Sequence, residues 1–178
     1  VARLKGGDPF IFGRGGEEVL ALAAAGVDVE VVNGITAGIA AAAAAGIPLT
    51  QRGLAAGVKF VTGRVAAGGE PDWRALARTG MTLVVYMALD ALPRIAGMLI
   101  GGGLAPLTPA VVIERATLPS ARSLRGHLRD LTRATTVEAL SGPAIVVIGA
   151  VAGCALGLAG ADIGTAALRS VAGARAAA

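Results

Sequence analysis

Hydrophobic and polar positions along the chain follow two different periods, and the period switches repeatedly. Val27 to Val32 (VDVEVV) sets acids between valines, the alternation of a strand with one wet face, and Asn33-Gly34 then turns the chain. Met81 to Met87 (MTLVVYM) is a nearly continuous apolar run, as expected of a strand covered on both faces. Val1 to Lys5, Val58 to Thr62, Ala110 to Glu114 and Pro143 to Ile148 complete the predicted strands. Between them the punctuation predicts helices over Glu17–Ala25, Ala37–Ala45, Asp72–Arg78 and Asp90–Ile100. Thr36 and Asp90 serve as caps, with Gly26, Gly46 and Gly101 to Gly103 as stops. Ser123 to Ala134 has leucines at 124, 128 and 131 with arginines between, an amphipathic stretch. Ala66 to Pro71 reads as a loop.

Strands alternating with helices predict an α/β protein built on a largely parallel sheet, with ligand sites at the carboxyl ends of its strands. Ile47 to Gly57 has no period and contains Pro48, Gly53 and Gly57, so it reads as a connector between two lobes. The expected organisation is the end of a first α/β lobe over 1–49, a second α/β lobe over 50–149 and a small-residue tail over 150–178. Four loops fall at strand ends: the glycine loop after Lys5, Asn33 to Thr36, Met87-Ala88, and Glu114 to Ala116.

Composition narrows the picture. The chain of 178 residues is 54% hydrophobic but only 3% aromatic, so its core must pack from small side chains. The net charge of +4 is carried almost wholly by arginine, whose planar fork suits carboxylates and phosphates. These arginines are scattered and have no interleaved aromatics, which argues against a nucleic-acid surface. One cysteine, Cys154, excludes an intrachain disulfide and a cysteine metal cluster and fits a reducing compartment, the cytoplasm by default. Val1 is not methionine and no signal peptide is visible, so the chain is expected to be a fragment or a processed piece. Ala144 to Ala161 lacks charge over a length that could span a bilayer, but its β-branched start and glycines favour a buried strand followed by a small-residue segment.

The glycine loop, RLKGGDPFIFGRGGEE from Arg3 to Glu18, is the richest candidate for chemistry. Gly6 and Gly7 let a ligand approach the backbone, Asp8 adds an acceptor and Pro9 stiffens the exit. No Gly-Lys-Ser/Thr follows and the spacing of a dinucleotide fingerprint is absent, so this is not a phosphate loop of either kind. Glu17 and Glu18 read as helix-start charges. Arg14 sits where a guanidinium could reach a carboxylate-bearing ligand. Thr36 opens a helix whose free N–H groups suit a polar or anionic group. His127 reads as a surface histidine, and no serine triad, carboxylate pair or metal-ligand set emerges.

RLKGGDPFIFGRGGEE, VEVVNGITAGIAAAAAAGIPLTQRGLA, VTG, TLVVYMAL and PAVVIERATLP together resemble the tetrapyrrole methylase family, in family order over roughly residues 1–149. The long form of the glycine motif is similar to that of the family's uroporphyrinogen branch. The resemblance implies a two-lobed α/β enzyme, usually a homodimer, that holds S-adenosylmethionine between lobes. It also implies methylation of two pyrrole carbons of uroporphyrinogen III to precorrin-2, on the way to sirohaem and cobalamin.

Carried over by position, the cofactor contacts are Gly6, Gly7, Asp8, Ile11, Thr36, Ala37, Met87 and Ala116; the carboxylates of the implied substrate in turn make Arg14 the candidate substrate contact, with Arg52 and Arg64 as further partners. Ala88 and Ala116 stand where the family favours glycine, Asn33 where it favours proline and Gln51 where it favours histidine. The family's proton-transfer residues are expected upstream of Val1, so no catalytic residue is assigned and no metal is implied. The resemblance leaves two alternatives: a truncated non-catalytic cofactor-binding or dimerisation module, and a methylase of a later corrinoid precursor.

Overall fold

The computed structural model describes residues 1–65, 69–133, 140–154, 156 and 164–167. The first part of the chain supplies two helices, α1 (Gly15–Ala24) and α2 (Ala37–Ala44), joined and preceded by loops. The remainder builds a six-stranded sheet from β1 (Val58–Thr62), β2 (Thr82–Tyr86), β3 (Pro109–Glu114), β4 (Arg122–His127), β5 (Ala144–Ile148) and β6 (Gly164–Ala167). Helices α3 (Trp73–Leu76) and α4 (Leu92–Gly101) cover one face of it. Asp72 caps α3 as its sequence implies, its carboxylate accepting from the Ala75 N–H at 3.0 Å. Asp90 instead lies in a 3-10 turn, Leu89–Ala91, that leads into α4.

The sheet runs β1-β2-β5-β3-β4-β6 and is mixed, which corrects the expectation of a largely parallel one. Only β1 with β2 and β4 with β6 are parallel; β2–β5, β5–β3 and β3–β4 are antiparallel. A parallel partner needs a crossover of a dozen or more residues. The link between β3 and β4 is residues 115–121, long enough only for a direct return. The same return explains the amphipathic stretch after Ala121, which forms strand β4 and then a 3-10 turn, Leu128–Thr132. Leu124, Leu128 and Leu131 all reach the core, but from two kinds of backbone rather than one helix. The predicted end of that stretch, Ala134, lies outside the described residues, as do 66–68 of the predicted loop and most of the tail after Gly149.

Strand alternation divides the core. Leu83, Val85, Val112, Val146 and Ile148 face α4 and Trp73, while Val84, Tyr86, Val111, Ile113 and Val147 face α2. Two covered faces account for the continuous apolar runs of β2, β3 and β5. Helix α2, AGIAAAAA, lays Ala41 and Ala42 on the second face, and these small side chains let it sit close to the sheet. Its far end is tied down by Arg125, whose guanidinium donates to the carbonyls of Ala45 (2.8 Å), Ala152 (3.2 Å) and Cys154 (3.0 Å).

Two predicted strands do not form. Val1–Lys5 and Val27–Val32 pair neither with each other nor with the sheet, and Val27, Val29, Val31 and Val32 remain exposed. The alternation of Val27–Val32 is real, but a strand exists only where a neighbour takes its backbone hydrogen bonds. Ala144 onward forms β5 and a 3-10 turn, and no helix among the described residues is long and apolar enough to cross a membrane.

Candidate functional site

A cleft of about 1220 Å³ opens where the carboxyl ends of β1, β2 and β3 meet the amino end of β5 and the start of α2. One wall is Gly6, Gly7, Ile35 and Ala37; the opposite wall is Arg115 to Leu118 with Gly142 and Pro143; the floor is Tyr86, Met87 and Ala88. All four loops singled out in the sequence therefore converge on one space.

Backbone strain concentrates there. Met87 (φ 52°), Arg115 (φ 47°) and Thr117 (φ 68°) are left-handed non-glycine residues lining the cleft. Each such residue costs about 1–3 kcal/mol and persists only where its surroundings over-determine it, which is characteristic of ligand clamps. Phe12 (φ 54°) and Arg14 (φ 59°) add two more in the glycine loop.

The glycine loop is held against the second loop at backbone distance. Gly7 has φ 150°, and a side chain there would meet the Ile35 carbonyl at 3.3 Å and the Ala37 nitrogen at 3.8 Å. Asp8 does not line the cleft; its carboxylate accepts from the Phe10 N–H (2.9 Å) and, across 26 residues, from the Gly34 N–H (3.1 Å). It works as a staple between the two loops that make up one wall. Thr36 stands at the N-cap of α2 but makes no capping bond; its hydroxyl pairs with that of Tyr86 at 2.8 Å. Ala37 lines the cleft, and its N–H has no partner among the described residues.

The remaining predicted residues divide. Met87 and Ala116 line the cleft, with Met87 half exposed at the end of β2. Ile11 lies on the exposed glycine loop outside the lining. Arg14 also points away: its side chain is 77% exposed and ion-paired with Glu17 at 2.6 Å. Arg52 is exposed outside the cleft, whereas Arg64 lines it without a side-chain partner among the described residues. Arg94, a further lining cation, pairs with Glu70, which also accepts from the Trp73 indole at 2.8 Å. The hydrogen bond from Arg94 is the leading reason that the Glu70 carboxyl sits below its ordinary pKa. His127 is partly exposed beside Asp130.

Glu17 and Glu18 occupy the first turn of α1, as the sequence implies. A hydrogen bond from Arg14 lowers the pKa of Glu17, and one from Lys5 lowers that of Glu18. A carboxyl whose pKa is lowered by folding adds stability above its unfolded value, here 4.5, and that stability is lost as pH falls through the folded value. The expected result is loosening of the α1 start on acidification from about pH 6 to about pH 3 and no change between about pH 6 and 8. Backbone carbon-13 shifts of residues 15–20 measure it; shifts constant across the acid range would refute it.

Two supports were not foreseen from sequence. Tyr86 ends the apolar run of β2 with a buried hydroxyl that donates or accepts at the start of α2. Glu114, fully buried at the end of β3, accepts from Arg122 and from the N–H and hydroxyl of Ser141, while Arg115 also donates to that hydroxyl at 2.7 Å. This network holds Arg115 to the Ser141–Pro143 segment within the opposite wall. The available signal in both cases was one polar residue closing an otherwise apolar strand.

Comparison with known proteins gives a consistent picture. The family model for tetrapyrrole (corrin/porphyrin) methylases matches residues 1–132. A uroporphyrinogen-III C-methyltransferase of Pseudomonas aeruginosa is 53% identical over 151 residues, which is 85% of this chain and 62% of that protein. A siroheme synthase of Gluconacetobacter diazotrophicus is 51% identical over 85% of this chain and 33% of its own length. The chain thus spans about six-tenths of the first relative and a third of the second. Among solved structures, the Thermus thermophilus uroporphyrin-III C-methyltransferase in complex with S-adenosylhomocysteine superposes with a TM-score of 0.73 at 43% identity, covering 85% of this chain and 66% of that one. A cobalt precorrin-4 methyltransferase gives 0.75 at 28% identity, covering 83% and 63%.

Proposed function

We propose, on the premise that the chain belongs to the tetrapyrrole (corrin/porphyrin) methylases, that its cleft binds S-adenosylmethionine for methylation of uroporphyrinogen III to precorrin-2. The observation that carries this reading is the convergence of Gly7, Ala37, Met87 and Ala116, four positions matching family cofactor contacts, on one strained cleft. The relative solved with S-adenosylhomocysteine supports it.

The residues present fit such a group. Gly7 offers bare backbone, Ala37 an unclaimed N–H, and Ala116 and Ile113 an apolar wall. When bound, S-adenosylmethionine supplies an electrophilic methyl on a sulfonium that departs as the thioether. The chain's own residues supply placement, which is most of what such a transfer needs. The strained turns at Met87, Arg115 and Thr117 fix the walls, and the apolar floor limits water. Arg64, lining the cleft with no side-chain partner among the described residues, is a counter-ion for a substrate carboxylate. Arg14, exposed outside the cleft lining, reaches a substrate carboxylate only where the substrate extends beyond the cleft and displaces Glu17. The whole protein then works as a cytoplasmic homodimer feeding sirohaem and cobalamin synthesis.

Asp8→Ala is expected to weaken S-adenosylhomocysteine binding about tenfold or more, some 1.4 kcal/mol, by freeing the Gly34 loop from the Gly7 wall. Calorimetry with equal affinities in the two proteins would remove Asp8 from the account. A second reading, a binding module without chemistry, draws on Ala88 and Ala116, which bring methyl groups to the cleft where the family favours glycine. Incubation with uroporphyrinogen III and S-adenosylmethionine separates the two, since precorrin-2 formed by this chain excludes the module. A corrinoid substrate panel exposes a methylase of a later precursor.

A further inference from the structure

Tyr86 joins the two segments of one cleft wall, the glycine loop and the start of α2, from below, through contacts that its position in the sequence does not announce. It closes β2 with its ring in the floor of the cleft and is 7% exposed. Its hydroxyl oxygen lies 2.7 Å from the Gly38 nitrogen, accepting that N–H, and 2.8 Å from the Thr36 hydroxyl. The Gly38 amide is one of the orphan donors at the start of α2, a donor that an N-cap side chain would ordinarily satisfy. Here the cap arrives from a strand 48 residues away.

The local sequence is shaped to admit it. A Cβ on Gly38 would run into the Tyr86 hydroxyl and come within 2.7 Å of Val84 Cγ1, so only glycine leaves room for the phenol. On its other side the Tyr86 ring meets Phe12 of the glycine loop, with centroids 4.6 Å apart and planes at 49°. One side chain therefore touches both segments that bring Gly7 and Ala37 together.

We propose that Tyr86 is a positioning residue of the cofactor cleft: its phenol sets the start of α2, and with it the Ala37 N–H, relative to the glycine loop. The proposal rests on the cofactor reading above. Thr36 acts in the same unit, its hydroxyl orienting the phenol rather than contacting the cofactor. This differs from general support of the fold, because the hydroxyl's hydrogen bonds go to Thr36 and Gly38, which flank the cleft-lining Ala37.

The test is S-adenosylhomocysteine calorimetry at a temperature where every variant is folded, joined to amide hydrogen exchange at Gly38 in the ligand-free chain. Tyr86→Phe is expected to weaken binding at least fivefold and to speed Gly38 exchange at least tenfold. Thr36→Val gives a similar loss of affinity, Thr36→Ser restores it, and the double variant Tyr86→Phe/Thr36→Val is no worse than either single one. Affinity within twofold of the parent in Tyr86→Phe, or strictly additive losses in the double variant, would overturn the proposal. Failure of the parent chain itself to bind S-adenosylhomocysteine would overturn the cofactor reading, a separate result from an unchanged Tyr86→Phe.

Discussion

Replacing Arg122 with methionine lowers the unfolding free energy by about 3–5 kcal/mol, the usual cost of leaving a buried charge without its partner. Glu114 is fully buried at the end of β3, while Arg122 lies at the solvent side of the facing strand β4, where it is only 35% exposed. Removing the guanidinium leaves a buried carboxylate that accepts from the Ser141 N–H and hydroxyl but has lost its counter-ion. Methionine keeps most of the stem volume, so the loss reports charge rather than packing. The companion variant Arg122→Met/Glu114→Gln recovers part of the loss, because a neutral amide needs no counter-ion. Urea unfolding with an unchanged slope measures both. A loss below about 1 kcal/mol in the single variant would show that the pair behaves like a surface ion pair. The same substitution loosens the Arg115 and Gly142 segments together, so weaker S-adenosylhomocysteine binding accompanies it.

The second large effect belongs to Gly34. A Cβ at this position would lie 2.6 Å from the Gly7 carbonyl oxygen, 2.9 Å from its carbon and 3.3 Å from the Asp8 nitrogen. These are backbone atoms, and they cannot turn aside as a side chain could. Gly34→Ala must part the two loops, breaking the 3.1 Å bond from the Gly34 N–H to Asp8 and moving Gly7 from Ala37. Overpacking of this kind costs about 1–3 kcal/mol of stability. Because the displaced atoms border the cleft, S-adenosylhomocysteine affinity is expected to fall about a hundredfold, near 2.7 kcal/mol. An affinity within threefold of the parent would mean that the Gly7–Gly34 approach is not part of the binding geometry.

The parts of this fold that sequence made legible are those decided locally. Gly7, Pro9 and the stop at Gly46 are dictated by φ and by a missing N–H, so these turns are readable before any tertiary contact is known, whereas the helix start at Thr36 falls where the sequence puts it but is capped by Tyr86 and not by Thr36 itself. The parts that were not legible are decided by a partner far along the chain. Val27 to Val32 has the period of a strand, yet without a neighbour it stays unpaired and exposed. Leu124, Leu128 and Leu131 have helical spacing, yet the hydrogen-bonding edge of β3 claims residues 122–127 for a strand. In sequence Asp8 is an acceptor open to a ligand, whereas its two oxygens serve the Phe10 and Gly34 amides. Tyr86 is in sequence simply part of an apolar strand, because nothing in its own neighbourhood reveals the Gly38 amide that it meets.

The central claim is that the cleft bounded by Gly7, Ala37, Met87 and Ala116 is where the methyl donor binds. The most direct measurement is an amide chemical-shift titration of the isotopically labelled chain with S-adenosylhomocysteine. The expected result is saturable shifts centred on Gly6, Gly7, Ala37, Met87 and Ala116. Shifts centred instead on the smaller cavity at the opposite end of the sheet, around Thr82 and Gly149, or no saturable shifts at all, would contradict it.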